Sequence, residues 1–201
     1  MVPGSLTRSR LRRVGLGAFF RPSQVEVLGI DYDQLRNLVV SGTVERVTRG
    51  LYRLAAAEPT EHYSLAAACT RVPRSIVCLL SALKVHGIGT QLPSEVWMAI
   101  PHKARAPRVP SIKLRLLRFS GASWTYGVGD TAFEGVPARI TSPARTVVDC
   151  FRFERIVGRE AAMEALRDAL RQKLVTVDAL YRTLDTLPSR RLQAVLEATA
   201  P

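Results

Sequence analysis

DYDQLRNLVVSGTVERVTRGLYRL, Asp31 to Leu54, contains a helix, a tight turn and a short two-stranded hairpin with a basic tip. Asp31 is a good N-cap, and Gln34 stands three positions on, the spacing of a capping box. A helix over Tyr32–Ser41 puts Leu35, Leu38 and Val39 on one face. Asp33, Asn37 and Val40 then lie opposite, with Arg36 on one flank and Ser41 on the other. Gly42 ends the helix. Thr43–Val47 and Leu51–Leu54 read as two strands joined through Thr48-Arg49-Gly50. Val44 and Val47 are three apart, so the alternation is not clean. The Arg-Gly turn and the β-branched and aromatic content support the hairpin nonetheless.

Upstream, Ser5–Val14 reads as a basic amphipathic helix with Leu6, Leu11 and Val14 inward. Phe19 and Phe20 are candidate core. Pro22 suits the first position of a second helix that takes in Val25, Val27 and Leu28 and stops at Gly29. Three short helices followed by a hairpin make a winged helix-turn-helix, with the Asp31-capped helix as the reading helix. Any small helical subdomain with a hairpin shares that outline. Arg36 on the helix flank and Arg46, Arg49 and Arg53 on the wing turn the reading towards DNA.

Charge points the same way. The 201 residues carry a formal net charge of +12. Residues 1–54 hold nine Lys/Arg against four Asp/Glu, and residues 71–121 hold nine against Glu95 alone. Residues 122–201 are nearly balanced, eleven against ten. A basic front and middle favour an anionic partner, nucleic acid before membrane surface. No stretch of roughly 20 apolar residues is present, so no membrane span is expected. Cys69, Cys78 and Cys150 are odd in number and form no C-x-x-C pair, and no secretory signal is visible. They read as buried, reduced thiols of a cytoplasmic protein.

The fold expected is α+β: the winged helix over residues 1–56, a linker near Pro59, and a mixed α/β domain over 60–201 ending in helices. Ile76–His86 reads as a buried helix closed by Gly87, and Glu95–Ile100 as a strand. In Ile112–Phe119, Ile112, Leu114 and Leu116 alternate against Lys113 and Arg115, a half-exposed strand. Arg118 breaks the outward set by one residue, the mark of a bulge. Gly127–Phe133 and Val136–Ile140 pair around Glu134-Gly135, so the strands fall within 95–140. Helices fill 142–199, capped by Ser142 before Pro143, by Thr176 and by Ser189.

Catalytic signals are sparse. No metal-ligand spacing, phosphate loop or nucleophile elbow occurs, and neither cofactor nor metal is expected. Ser81, His86 and Asp149 can be drawn as a triad, but Asp149 reads better as a structural ion pair with Arg145 or Arg152 at helical spacing. His86 reads as a helix C-terminal residue facing the dipole. Asp130 and Glu134 on the hairpin are all that a minor, nuclease-related reading has to work with. The densest positive patch is His102, Lys103, Arg105, Arg108, Lys113 and Arg115, around a loop with three prolines. It is a solvated loop, a second contact to DNA phosphate, or a docking surface for an acidic partner.

Four strings in succession carry a resemblance: ERVTRGLYRL at Glu45–Leu54, VCLLSALKVHGIGTQLPSEVWMAIP at Val77–Pro101, LRFSGASWTYGV at Leu117–Val128, and GVPARITSPARTVVDCFRF at Gly135–Phe153. In order and spacing the chain resembles the AbiEi family, the antitoxin and transcriptional-regulator half of AbiE-type toxin–antitoxin pairs. The resemblance implies a non-enzymatic repressor that binds inverted repeats in its own promoter as double-stranded DNA. It also implies a monomer or weak dimer that is cooperative on DNA, and a C-terminal domain that counters a cognate nucleotidyltransferase-like toxin. On that frame Tyr32, Asp33, Arg36 and Asn37 face base edges, and Arg46, Thr48, Arg49 and Arg53 belong to the wing and its phosphate contacts. Val40-Ser41 stands where charged residues are usual in such helices. A toxin-interaction protein with incidental DNA binding is the alternative.

Overall fold

The computed structural model describes residues 19–48, 50–56, 61–107 and 112–199. The expected helix Ser5–Val14, Arg49 at the wing tip, the linker at Pro59, and Arg108 fall outside these. The chain divides into two compact units: residues 1–73 with 132–138, and residues 74–131 with 139–201. The contacts thus group 61–73 and the 132–138 turn with the N-terminal unit, where the composition of the chain places 60–201 in one domain.

In the first unit the elements run β1 (Phe19–Phe20), α1 (Pro22–Glu26), α2 (Tyr32–Val40), β2 (Val44–Thr48), β3 (Leu51–Leu54) and α3 (Tyr63–Arg71). The three strands form an antiparallel sheet in the order β1-β3-β2. Helices followed by this hairpin sheet are consistent with a winged helix-turn-helix. Phe20, Val25, Leu35, Leu38, Val44 and Tyr52 pack α1 and α2 onto one face of the sheet. Such a core buries apolar area worth about 25 cal/mol per Å2. The other face is also covered: the Phe19 and Tyr63 rings lie 5.0 Å apart, which seats the start of α3 there. The uneven Val44/Val47 spacing has a physical cause, a register shift between Arg46 and Thr48, because a bulge moves one residue out of alternation.

A five-stranded mixed sheet, most of it in the second unit, comprises β4 (Ile76–Val77), β5 (Val96–Pro101), β6 (Leu114–Phe119), β7 (Val128–Phe133) and β8 (Val136–Thr141), in the order β6-β5-β4-β8-β7, with the hairpin end 132–138 grouped with the first unit. The helices of the second unit are α4 (Leu79–His86), α5 (Ala122–Thr125), α6 (Pro143–Arg152), α7 (Glu154–Val157), α8 (Arg159–Arg171), α9 (Val177–Thr186) and α10 (Arg190–Thr199). Helix α6 is the hub, packed by α4, α8, α9 and α10. Every residue from Arg145 to Phe151 is buried. The three caps expected from sequence are present: Ser142 accepts from the Arg145 N–H, Thr176 from Ala179, and Ser189 from Leu192.

Two expectations are corrected here. Ile76 and Val77 are not the first turn of a helix. They form β4, paired with β5 on one side and β8 on the other, and the helix begins at Leu79. A fully buried strand and a buried helix are both continuous apolar runs, so periodicity does not separate them. In β6 there is no bulge: the parallel register with β5 runs unbroken from Val96↔Leu114 to Pro101↔Phe119. The core face is Leu117 and Phe119, while Leu114 and Leu116 are half-buried on the opposite face with Arg118.

Gly87 closes α4 in the left-handed conformation. The loop after it is tied to α8: Asp168 accepts from the Gly89 N–H at 2.7 Å, and Glu164 accepts from the Thr90 N–H at 2.9 Å and from the Gln91 amide at 3.0 Å.

Candidate nucleic-acid interface

Helix α2 starts because Asp31 and Gln34 satisfy its first donors reciprocally. Asp31 Oδ1 accepts from the Gln34 N–H at 2.8 Å, and Gln34 Oε1 accepts from the Asp31 N–H at 3.1 Å. It stops because Gly42 takes φ +68, and the Thr43 N–H returns to the Leu38 carbonyl at 3.0 Å. Leu35 and Leu38 are its buried residues, which fixes its rotation. Tyr32, Asp33, Arg36, Asn37 and Val40 are all exposed, with Tyr32 at 69% and Val40 at 80%. Nine residues make roughly 13–14 Å of helix, comparable to the roughly 12 Å width of a B-DNA major groove.

The wing divides its arginines. Arg46 is exposed on β2. Thr48 lies in the β2 backbone at the turn, and Gly50 takes φ +79 to complete it. Arg53 is placed differently. It is 9% exposed, pairs with Glu45 at 3.5 Å, and lies over the Tyr63 ring at 5.4 Å. It shares its sheet face with Phe19, its register partner, on the side that α3 covers. Its charge is used inside the unit, and among the described wing residues Arg46 is the arginine that faces solvent.

The basic region of the second unit also divides. His102, Lys103, Arg105 and Lys113 are exposed. Arg115 is held by Glu95 at 2.7 Å and stacks over Trp97 at 5.3 Å. Arg118, not among the expected residues, organises the loop: one guanidinium nitrogen donates to the His102 carbonyl at 2.6 Å and the Ala104 carbonyl at 2.7 Å. The only sequence trace of this role was Arg118's departure from the Lys113/Arg115 alternation, and that read as a bulge.

Ser81, His86 and Asp149 each have other partners. Ser81 Oγ accepts from the Trp97 N–H at 2.9 Å, the His86 Nε2–H donates to the Thr141 carbonyl at 2.7 Å, and Asp149 is bound by Arg145 and Arg152. His86 is the last residue of its helix, as expected, and its ring also makes a hydrogen bond across the fold. Asp149 pairs with both arginines that the helical spacing offered. Cys69, Cys78 and Cys150 are buried and unpaired. Among the described residues, no group of three or more His, Cys, Asp or Glu could hold a metal ion, and no helix is long and apolar enough to cross a membrane.

A capped helix followed by a hairpin with an exposed arginine is consistent with a winged helix-turn-helix. Residues 9–55 match the family model described as transcriptional regulator, AbiEi antitoxin. The N-terminal unit is thus similar to the regulators of that family. Of the four strings that carry the resemblance, Glu45–Leu54 falls within the matched span. No curated protein matches the chain.

Proposed function

We propose that this chain is a cytoplasmic DNA-binding transcriptional repressor and antitoxin, which binds inverted repeats in its own promoter and counters a nucleotidyltransferase-like toxin. The observation that carries the reading is α2. Its buried Leu35 and Leu38 leave Asp33, Arg36, Asn37 and Val40 facing outward beside a wing that presents Arg46. The family match over residues 9–55 supports it. Asn37 has the geometry to bridge adenine N6 and N7, Arg36 suits guanine or phosphate, and Arg46 and Arg49 suit phosphate. The exposed His102, Lys103 and Arg105 on the Arg118-held loop are a second phosphate contact, at low ordering cost. Footprinting the full-length protein on its own upstream DNA over a salt series tests the reading. A protected inverted repeat whose affinity falls linearly in log–log with salt is expected. Absence of any protected site at low salt overturns it.

One observation favours the alternative, a toxin-interaction protein with incidental DNA binding. Val177 and Tyr181, one turn apart on α9, are exposed, as is Leu174 just before the helix, and an apolar strip of this kind suits a protein partner. A full-length Asn37→Ala/Arg46→Ala variant separates the two. If it loses repression but still neutralises the toxin in cells, the two functions are independent.

A further inference from the structure

Val40 is the apolar member of a polar ridge. At 100° per residue, Asp33, Asn37 and Val40 fall within about 60° of one another, opposite the buried Leu35 and Leu38. The helix cannot rotate to hide Val40 without exposing those two leucines, so 80% of its surface stays in water. The major groove offers one apolar feature that such a side chain can cover, the thymine C5-methyl. Asn37 lies one turn before Val40 on the same ridge. Three residues of helix rise about 4.5 Å, close to the roughly 3.4 Å step between base pairs.

We propose that Asn37 and Val40 read two neighbouring A·T pairs, Asn37 through adenine N6 and N7 and Val40 through a thymine methyl. The reading rests on α2 being the DNA-reading helix. It assigns Val40 as a specificity-determining residue and gives the operator half-site two neighbouring A·T pairs. Val40 follows Asn37 along the helix, so the thymine lies on the side of α2's C-terminus. Asp33, at the other end of the ridge, accepts best from a cytosine N4 amine.

The test uses the full-length protein and a random-sequence duplex library to enrich a binding duplex. Thymine in that duplex is then replaced by uracil one position at a time, which removes a methyl and nothing else. One position should cost about fourfold in affinity, the worth of one buried methyl-sized group. Val40→Ala should bind the thymine duplex about fourfold more weakly and be indifferent to uracil at that position. Asn37→Ala should lose its preference for adenine at the neighbouring pair. Because Val40 and Asn37 are exposed, both variants keep the fold. An enriched duplex with a flat uracil series, or a uracil penalty that survives in Val40→Ala, overturns the assignment of Val40 while leaving α2 as the reader. Failure to enrich any sequence overturns the DNA-reading role itself, and this inference with it.

Discussion

Arg145 and Asp149 form an ion pair at 2.7 Å with neither side chain exposed. Arg145 also donates to the Tyr126 carbonyl at 2.5 Å and the Ser123 carbonyl at 3.0 Å, and its guanidinium lies over Phe119 at 5.3 Å. Arg152 approaches Asp149 from the partly exposed side at 2.7 Å. Burial raises the Asp149 pKa from its ordinary value, and the two guanidinium groups hold that rise back. A buried charge left without its partner is costly, whatever the net worth of the intact pair. Arg145→Ala should therefore destabilise the protein by about 3–5 kcal/mol in urea denaturation. A loss no larger than that from Arg152→Ala would contradict this account.

Gly127 tests how tightly the same group is packed. It takes φ +61, and a Cβ there would stand 2.9 Å from Arg145 Cβ. Gly127→Ala combines backbone strain with a clash that a buried neighbour cannot relieve, and should cost about 1–3 kcal/mol. Gly87, also at positive φ (+66) but with nothing within 4 Å of the added carbon, is the matched control, and its alanine variant should cost only the backbone strain, on the order of 1 kcal/mol. Equal losses from the two would show that Arg145 can move.

The loop after α4 should loosen in acid. Hydrogen bonds from Gln91 and Thr90 hold the Glu164 pKa below its ordinary value, and the Gly89 N–H, followed by Arg171, does the same for Asp168. A carboxylate whose folded pKa is depressed adds stability above its unfolded pKa, near pH 4, and loses it as pH falls through the lower folded value. Thermal melting between about pH 6 and pH 3 should show a falling Tm, less steeply in Glu164→Gln, which no longer titrates. Parallel curves for the two proteins would remove Glu164 from the explanation.

Arg46 and Arg53 should separate binding from stability. Arg46→Ala should leave the melting temperature unchanged, weaken binding to all DNA alike, and reduce the salt slope by about one. Arg53→Ala removes a cation from above Tyr63 and should cost on the order of 1–2 kcal/mol of stability. If Arg53→Ala instead gives a stable protein with a lower salt slope, then Arg53 reaches phosphate after all.

What could be foreseen in the sequence follows the range of the interactions. The α2 cap, the Gly87 stop, the Ser142-Pro143 start and the Asp149 pairing all lie within four residues of chain, and each is present. The places of Arg53 and Arg118 depend on partners elsewhere in the fold. A basic residue on a hairpin reads as a phosphate contact until α3 is seen covering that face. Arg118 reads as a break in alternation until its two carbonyl partners come within reach. The inward face of β6 misled for a related reason. Ile112, Leu114 and Leu116 outnumber Leu117 and Phe119 as apolar residues, but α6 packs on the side of Leu117 and Phe119. For the site, α2's exposed face was legible from period alone, whereas the importance of Val40 emerged only with its exposure.

Strand β4 bears on how the second unit assembles. It is two residues long, yet it is the strand through which β5 and β6 join β8 and β7. Its bond to β8 rests on one register pair, Val77↔Ile140, separated by roughly sixty residues of chain, a span whose closure is entropically slow. We expect the β5–β6 and β7–β8 pairs to form first and the seam at Val77 to close last. Val77→Ala should then speed unfolding while leaving the refolding rate nearly unchanged, a φ-value near zero. The reverse pattern would place the seam in the folding nucleus. A sheet closed last at so short a seam leaves two partly paired halves with open strand edges during refolding, the condition under which chains join one another instead of themselves.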